Sequence, residues 1–373
     1  MKIALISPIE ETVPPKFYGG IEWIIFYLAK FLSKKNHQVY LFTVKDSPKL
    51  GEYNIIPIYS HSIRNIEPYK SNLKIRESAK FISLFATYKI ILENNFDIIH
   101  NHAGWRFLLF QEILNKKIIT TLHGPLSISY QNIVFEKYKD SFYISISNNQ
   151  RKDLPQLNFI KTIYNGIDIN DFPFQEKPNS DRMLFFARFS PEKGADLAIK
   201  TAIITKRKLT IGAKIDSSDL EYYQKNKSLL ENENIKFEGE VDKNQKSYYY
   251  QNAKLLIAPI CWEEPFGLMF TESMACGTPV VAFARGSVPE VIKDGETGFI
   301  VNSSNDDIRG NWIIKKTGIE GLCEAVERIY SMPEEKYREM RRACRAHVEK
   351  HFTVERMVDE YEKVYQEILN SKR

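Results

Sequence analysis

Glu264 and Glu272 stand with seven residues between them in the stretch Glu264-Pro265-Phe266-Gly267-Leu268-Met269-Phe270-Thr271-Glu272. The pattern predicts a loop carrying Glu264 that feeds a helix carrying Glu272. That helix is expected to stop at Gly277, with Pro279 just beyond it. The start of a helix offers unpaired backbone N–H groups and a partial positive charge, a ready seat for an anion. Two carboxylates beside such a seat would repel the anion itself. They are well suited to accept hydrogen bonds from the hydroxyls of sugars attached to it.

Other residues carry compatible chemistry. Arg188 and Lys193 follow a short apolar run, in Phe186-Ala187-Arg188-Phe189-Ser190-Pro191-Glu192-Lys193-Gly194. A strand end beside a helix start is where open α/β sheets bind ligands. Arg188 supplies a planar fork for phosphate oxygens and Lys193 a mobile point charge. Gly19-Gly20, between a first strand and a helix, allows backbone N–H groups to approach a phosphate, though the dinucleotide fingerprint G-x-G-x-x-G is absent. His123, in Thr121-Leu122-His123-Gly124-Pro125, is either a turn residue or a hydrogen-bond partner for a ligand hydroxyl. His100 and His102 read as structural histidines, since no third metal ligand accompanies them. No D-x-D pair is present to hold a divalent cation, so no metal and no resident cofactor is expected.

These residues need a scaffold. Apolar runs at 2–7, 38–43, 96–100, 117–122 and 142–146 alternate with helical patterns, of which residues 20–33 form the first. The alternation restarts with runs at 183–187, 208–212, 235–237, 254–259, 279–283 and 298–301, and a helical stretch at 195–205. Such alternation predicts doubly wound parallel α/β sheets, twice over. A boundary falls in the polar, Pro-containing region 165–180. Near the end, Val354, Met357, Val358, Tyr361, Val364, Tyr365 and Ile368 share one face of a helix capped by Thr353. That face must be buried on something.

At 373 residues the chain suggests two domains. Its 43% hydrophobic and 27% charged content describes a soluble globular protein. No apolar run approaches the ~18 residues of a membrane span, and the first residues read as a strand rather than a secretory signal, so a cytoplasmic location is expected. The four cysteines show no pairing pattern and are expected as reduced, buried thiols. Residues 1–168 hold 21 Lys and Arg against 14 Asp and Glu, whereas the rest holds 31 against 33. The basic half motivates a weak peripheral contact with anionic membranes or acidic acceptors, but not with nucleic acid, for which no motif exists. Lys70, Lys74, Arg76 and Lys80 are its expected contributors, on a helix whose Phe81, Leu84 and Phe85 read as core.

Taken in order, several segments resemble those of the retaining glycosyltransferases of family 4, which have the GT-B fold. They are Tyr18-Gly19-Gly20, residues 97–102, Thr121-Leu122-His123-Gly124, Tyr164-Asn165-Gly166-Ile167-Asp168, Arg188 with Lys193, and Phe237-Glu238-Gly239-Glu240-Val241. The Glu264–Glu272 stretch, Met274-Ala275-Cys276-Gly277-Thr278-Pro279, Ser287-Val288-Pro289-Glu290 and Phe352-Thr353-Val354-Glu355-Arg356 follow. The resemblance runs from Met1 to about Leu369. Val13-Pro14-Pro15-Lys16-Phe17-Tyr18-Gly19-Gly20 and Arg285-Gly286-Ser287-Val288-Pro289-Glu290 are similar to a subgroup of antibiotic-oligosaccharide and pterin glucosyltransferases, which leans the donor towards UDP-glucose. One departure is Ala187, where the family usually has Gly.

The resemblance implies two Rossmann-like domains with a cleft between them: residues 1–168 for the acceptor, 169–351 for the nucleotide-sugar donor, and a C-terminal helix, 352–373, crossing back. It implies hexose transfer from a nucleotide diphosphate sugar to a hydroxyl acceptor of a glycan, lipid-linked glycan or small molecule. The alternatives are a GDP-mannose-dependent mannosyltransferase and a non-catalytic sugar-nucleotide-binding protein. Gly19, Gly20, Arg188 and Lys193 would serve the diphosphate, and Glu272 the ribose. Glu264 and the backbone of Phe266, Gly267 and Leu268 would hold the transferred sugar and distal phosphate. The backbone at Glu240 and Val241 would read the base, and His123 would touch a sugar hydroxyl.

Overall fold

Short runs of Ile, Leu, Val and Phe form two parallel sheets in the computed structural model, which describes residues 1–17, 19–114 and 116–371 (backbone only at Lys243 and Asn244). Tyr18 of the glycine motif lies outside the described residues. The chain divides into two units, Met1–Gly166 with Val354–Arg373, and Ile167–Thr353.

In the first unit the strands are β1 (Lys2–Ile6), β2 (Gln38–Val44), β3 (Asn54–Tyr59), β4 (Ile98–Asn101), β5 (Ile118–Leu122), β6 (Phe142–Ser145) and β7 (Phe159–Thr162). Their order is β3-β2-β1-β4-β5-β6-β7. The second unit holds β8 (Met183–Arg188), β9 (Leu209–Lys214), β10 (Ile235–Gly239), β11 (Leu255–Ala258), β12 (Val280–Phe283) and β13 (Gly298–Val301), ordered β10-β9-β8-β11-β12-β13. In each sheet the order reverses once, between β1 and β4 and between β8 and β11. At such a reversal the crossover helices leave to opposite faces, so the carboxyl ends of those two strands open a crevice for ligands.

The inner strands β4, β5, β11 and β12 are buried at every residue, as strands covered on both faces must be, and so is the edge strand β13. The outer strands β3 and β7 were not anticipated. β3 contains Pro57 and is only partly buried, and no residue of β7 is fully buried. Edge strands need no continuous apolar run and tolerate proline.

The helix Val354–Asn370 buries the seven residues expected of it: Val354, Met357, Val358, Tyr361, Val364, Tyr365 and Ile368. It lies against the helix Gly20–Lys34 of the first unit, and Lys35 pairs with Asp359 at 2.8 Å. Each buried side chain of this size contributes about 1.5–3 kcal/mol, so this helix is part of the first unit's core rather than an appendage. Of the cysteines, Cys276 and Cys344 are buried; Cys261, expected to be buried, is exposed at the start of a loop. Among the described residues no helix is long and apolar enough to cross a membrane.

Candidate functional site

In the second unit the crevice lies at the carboxyl ends of β8 and β11. Arg188 is the last residue of β8, and Lys193 closes the short 3-10 turn Pro191–Lys193 that follows. The loop after β11 carries Trp262, Glu263 and Glu264 and enters the helix Leu268–Ala275, with Gly267 as its N-cap. That helix stops as its sequence demands: Gly277 N–H donates to Met274 O at 2.9 Å and Thr278 N–H to Ser273 O at 2.9 Å. The loop is pinned from behind by residues 285–287. Ser287 N–H donates to Glu264 O at 2.9 Å, and Glu263 accepts from Gly286 N–H at 2.9 Å and from Arg309. Gly286 has φ +59°, and a Cβ there would lie 2.2 Å from Glu264 O. Only glycine allows that approach.

The two glutamates are both buried and anchored in the same manner. Glu264 Oε2 takes the Lys193 ammonium and, at 2.8 Å, the Trp262 indole N–H. Glu272 Oε2 takes the Lys246 ammonium at 2.6 Å and the Tyr250 phenol at 3.1 Å. In each case one oxygen is clamped by a cation and a neutral donor. Among the described residues the other oxygen, Oε1, has no hydrogen-bond partner, and it remains an acceptor. Lys193 Nζ also sits 4.8 Å from the centre of the Trp262 ring. Arg188 is held by Asp219 at 3.2 Å and Asp216 at 3.7 Å. Both cations expected at a diphosphate are therefore oriented by carboxylates, and both retain spare N–H donors.

Glu240 and Val241 follow β10, where Asp242 caps the next helix through a capping box with Gln245. The Ala187 methyl packs against the core cluster of this unit.

In the first unit a cavity of ≈ 280 Å³ opens at the corresponding strand ends, lined among others by Ser7, Glu10, Glu22, His102, Arg106 and His123. Gly19 caps the helix Gly20–Lys34; a Cβ on it would lie 2.7 Å from Pro15 Cβ and 2.9 Å from Glu22 Oε2. Close approach, rather than loop flexibility, is what requires glycine there. Lys80 bridges Glu10 at 2.7 Å and Glu77 at 3.0 Å, and Arg106 donates to Glu77 at 2.8 Å. Burial pushes the Glu22 carboxyl up to about 7, against the pull of Arg64.

His123 is the half-buried end of a network whose other histidines are buried. Its Nε2 meets His102 Nδ1 at 2.8 Å, and His102 Nε2 meets His100 Nδ1 at 3.2 Å. His100 also contacts the Tyr365 phenol and Thr121 Oγ1, each at 2.7 Å. Burial pushes His123 down to about 3 and holds His100 and His102 well below their ordinary value, with repulsion from neighbouring imidazoles adding to it. Burial therefore favours the neutral form of all three. Among the described residues no group of three or more His, Cys, Asp or Glu is arranged to hold a metal ion.

Arg188 and Lys193 thus follow β8, and Glu264, Phe266, Gly267, Leu268 and Glu272 follow β11, whereas in the first unit His123 lines the cavity and Gly19 and Gly20 stand at the start of the helix that contributes Glu22 to it. Sequence reasoning missed Trp262, Lys246, Tyr250, Asp219 and Glu22, and it read His102 as structural without linking it to His123. Trp262, two positions from Glu264, and Glu22, two from Gly20, were within reach of a local reading. Lys246 and Asp219 depend on tertiary packing.

The basic helix also departs from expectation. It spans Leu73–Glu93, so Lys70 precedes it; Arg76 donates to Arg64 O at 3.1 Å and Lys80 is spent on Glu10 and Glu77. Leu84 is core, but Phe81 and Phe85 are 41% and 55% exposed, beside an exposed Ile82.

The N-terminal part of the chain, residues 18–171, matches the family model "Glycosyltransferase Family 4", and residues 167–347 match "Glycosyl transferases group 1". An uncharacterized 41.2 kDa protein in the cps region of Klebsiella pneumoniae is 28% identical over 324 residues, covering 77% of this chain and 83% of that one. Among solved structures, sucrose-phosphate synthase from Thermosynechococcus elongatus superposes with a TM-score of 0.80 at 18% identity, covering 98% of both chains. Anabaena Alr3699/HepE in complex with UDP-glucose does so with a TM-score of 0.73 at 17% identity, covering 98% of this chain and 100% of that one. With glycosyltransferase models matching residues 18–347 between them, and two parallel Rossmann-like units, the chain is a glycosyltransferase of the GT-B type.

Proposed function

We propose that this protein is a retaining hexosyltransferase that moves a hexose from a nucleotide diphosphate sugar, UDP-glucose first among candidates, to a hydroxyl acceptor. The observation that carries the reading is the paired anchoring of Glu264 and Glu272, one before and one within the helix Leu268–Ala275, each with one carboxylate oxygen clamped and one left to accept. Carboxylates so fixed recognise hydroxyls, and the helix start and nearby cations between them suit phosphate. The likeness to a fold that in Alr3699/HepE holds UDP-glucose supports the choice of donor.

In this reading Glu272 accepts from the ribose hydroxyls, and the backbone at Glu240 and Val241 reads the base edge. Arg188 and Lys193 bind the diphosphate, and Gly19 and Gly20 add backbone N–H groups. Glu264 and the backbone of Phe266, Gly267 and Leu268 hold the transferred sugar and the distal phosphate; His123 contacts a sugar hydroxyl. As the bond from anomeric carbon to phosphate oxygen breaks, charge grows on the leaving phosphate, and Arg188 and Lys193 bind it more tightly than they bind the ground state. The leaving phosphate takes the proton of the incoming acceptor hydroxyl, which attacks from the same face, so the anomeric configuration is retained without a protein nucleophile.

The test is a screen of nucleotide sugars for acceptor-free hydrolysis, run with and without EDTA. UDP-glucose is expected to be hydrolysed fastest and EDTA to leave the rate unchanged, because fixed cations neutralise the diphosphate. A preference for GDP-mannose overturns the donor assignment. Loss of activity to EDTA, restored by Mg2+ or Mn2+, overturns the metal-free reading.

A further inference from the structure

The hydrogen bonds that begin at His123 end on the C-terminal helix, and their direction is fixed by proton counting. A neutral imidazole has one N–H donor and one bare nitrogen. Tyr365 is fully buried, and its hydroxyl has no partner among the described residues other than His100 Nδ1, 2.7 Å away. If His100 donated to Tyr365, the phenol proton would be buried without an acceptor, which native structures avoid. Tyr365 therefore donates, and His100 Nδ1 is bare. The His100 proton is then on Nε2 and goes to Thr121 Oγ1 at 2.7 Å, whose own hydroxyl lies 3.1 Å from Tyr361.

The same bare Nδ1 faces His102 Nε2 at 3.2 Å, so His102 carries its proton there and is bare at Nδ1. His102 Nδ1 in turn accepts from His123 Nε2 at 2.8 Å. One tautomer remains for His123: protonated at Nε2, bare at Nδ1. We infer that Tyr365 of the C-terminal helix is a positioning residue which, through His100 and His102, fixes His123 as a hydrogen-bond acceptor towards the substrate. The burial that keeps all three rings neutral supports this, because a charged ring would break the sequence of single donors.

The inference rests on the reading of His123 as a sugar contact, and it adds what that contact is. His123 Nδ1 accepts a hydrogen bond from a sugar hydroxyl; it does not donate one. A donor sugar lacking the contacted hydroxyl, or bearing an ether there, loses the bond, whereas a pure hydrogen-bond acceptor such as a carbonyl in its place is rejected. Thr121 and Tyr361 receive the far end of the chain, so Val354–Asn370 acts on the site without touching substrate.

Ring-15N-labelled histidine protein tests this without any turnover. The His123 signals are identified by their loss in His123→Asn, and long-range 1H–15N correlations report which nitrogen bears the proton. The wild-type protein is expected to show His123 protonated at Nε2. In Tyr365→Phe a fraction of His123 is expected to move to the Nδ1–H form, with kcat falling roughly three- to tenfold, the scale of one neutral hydrogen bond, and UDP affinity unchanged. A wild-type His123 protonated at Nδ1 overturns the inference, as does a Tyr365→Phe protein whose His123 tautomer is unmoved. Should Tyr365→Phe not fold, the wild-type spectrum still decides. If the tautomer is as expected but no nucleotide sugar is hydrolysed, the relay stands and the proposed function falls.

Discussion

The carboxyl ends of the two sheets occupy the same topological position, but the hydrogen bonds that hold Glu264 and Glu272 differ in kind from those that hold His123. In the second unit the crevice is full of charge already matched: Lys193 with Glu264, Lys246 with Glu272, Arg188 with Asp219. In the first unit the groups around His123 are neutral imidazoles, phenols and a threonine, joined end to end. The difference teaches what each can bind. A diphosphate needs cations that are oriented yet still have donors to spare. A polyol needs donors and acceptors of fixed sense and no net charge. Matched ions pay for orientation with desolvation, whereas the neutral chain avoids that penalty and gains directionality from its proton count.

Breaking a matched pair should do most damage. Lys193→Ala leaves Glu264 buried with half its partners gone, which should cost about 3–5 kcal/mol of stability and lower turnover by roughly two to three orders of magnitude. Adding Glu264→Gln should restore much of the lost stability but not the turnover. Thermal denaturation beside kinetics checks this, and a double variant no more stable than Lys193→Ala removes the claim that the pair is electrostatically balanced.

The two glutamates come next. Glu272→Gln should weaken UDP binding, and Glu264→Gln should spare it while lowering kcat, each by about one to two orders of magnitude for a charge-assisted bond worth ~1.5–3 kcal/mol. Calorimetric titration of UDP into both variants decides; the reverse pattern would falsify the assignment.

Acidification should then separate the regions. The histidines have folded pKa values below their unfolded ones, near 3 for His123. The unfolded chain thus binds protons the folded chain refuses, and the stability they contribute is complete above pH ~6.5 and is lost as pH falls from there towards 3. Glu22 works the other way: its folded value, raised to about 7, gives stability present below pH ~4.5 that is lost as pH rises through 7. Three histidines outweigh one glutamate, so the melting temperature should fall from pH 6.5 to 5, and His102→Asn should flatten that slope. A slope unchanged in His102→Asn would place the acid sensitivity elsewhere.

The smallest effect concerns the outer surface of the first unit. Phe81, Ile82 and Phe85 project from a helix that also carries the exposed Lys74 and Lys89. Weak, salt-sensitive binding to vesicles rich in anionic lipid is expected, reduced by Phe85→Ser without loss of turnover on a soluble acceptor. Failure to sediment with such vesicles at low ionic strength rules the contact out.

Much of this was legible beforehand because it is local. Inner strands are continuous apolar runs, and Gly277 with Pro279 marks a helix end in any context. The seven buried residues of Val354–Asn370 follow directly from helical spacing. Strands β3 and β7 were hidden because their edge position removes the need for an apolar run. The partners of the glutamates were hidden for a different reason. Lys193 is 71 residues from Glu264, and nothing in either neighbourhood records that the reversal in sheet order brings them together. The residues that would contact a ligand announced themselves through glycine, proline and charge; those that orient them did not.

The seven apolar side chains of Val354–Asn370 also set a schedule. The unit that begins at Met1 lacks this part of its core until all of Ile167–Thr353 has been made. At ribosomal rates of about 5–20 residues per second, that is a wait on the order of ten to forty seconds. During it the groove that will receive Tyr361 and Tyr365 is open and greasy. The later-made unit, contiguous in the chain, has no such delay. Synthesis order and completion order are therefore inverted in this molecule, and a nascent chain stalled before residue 354 should be the species that chaperones hold longest.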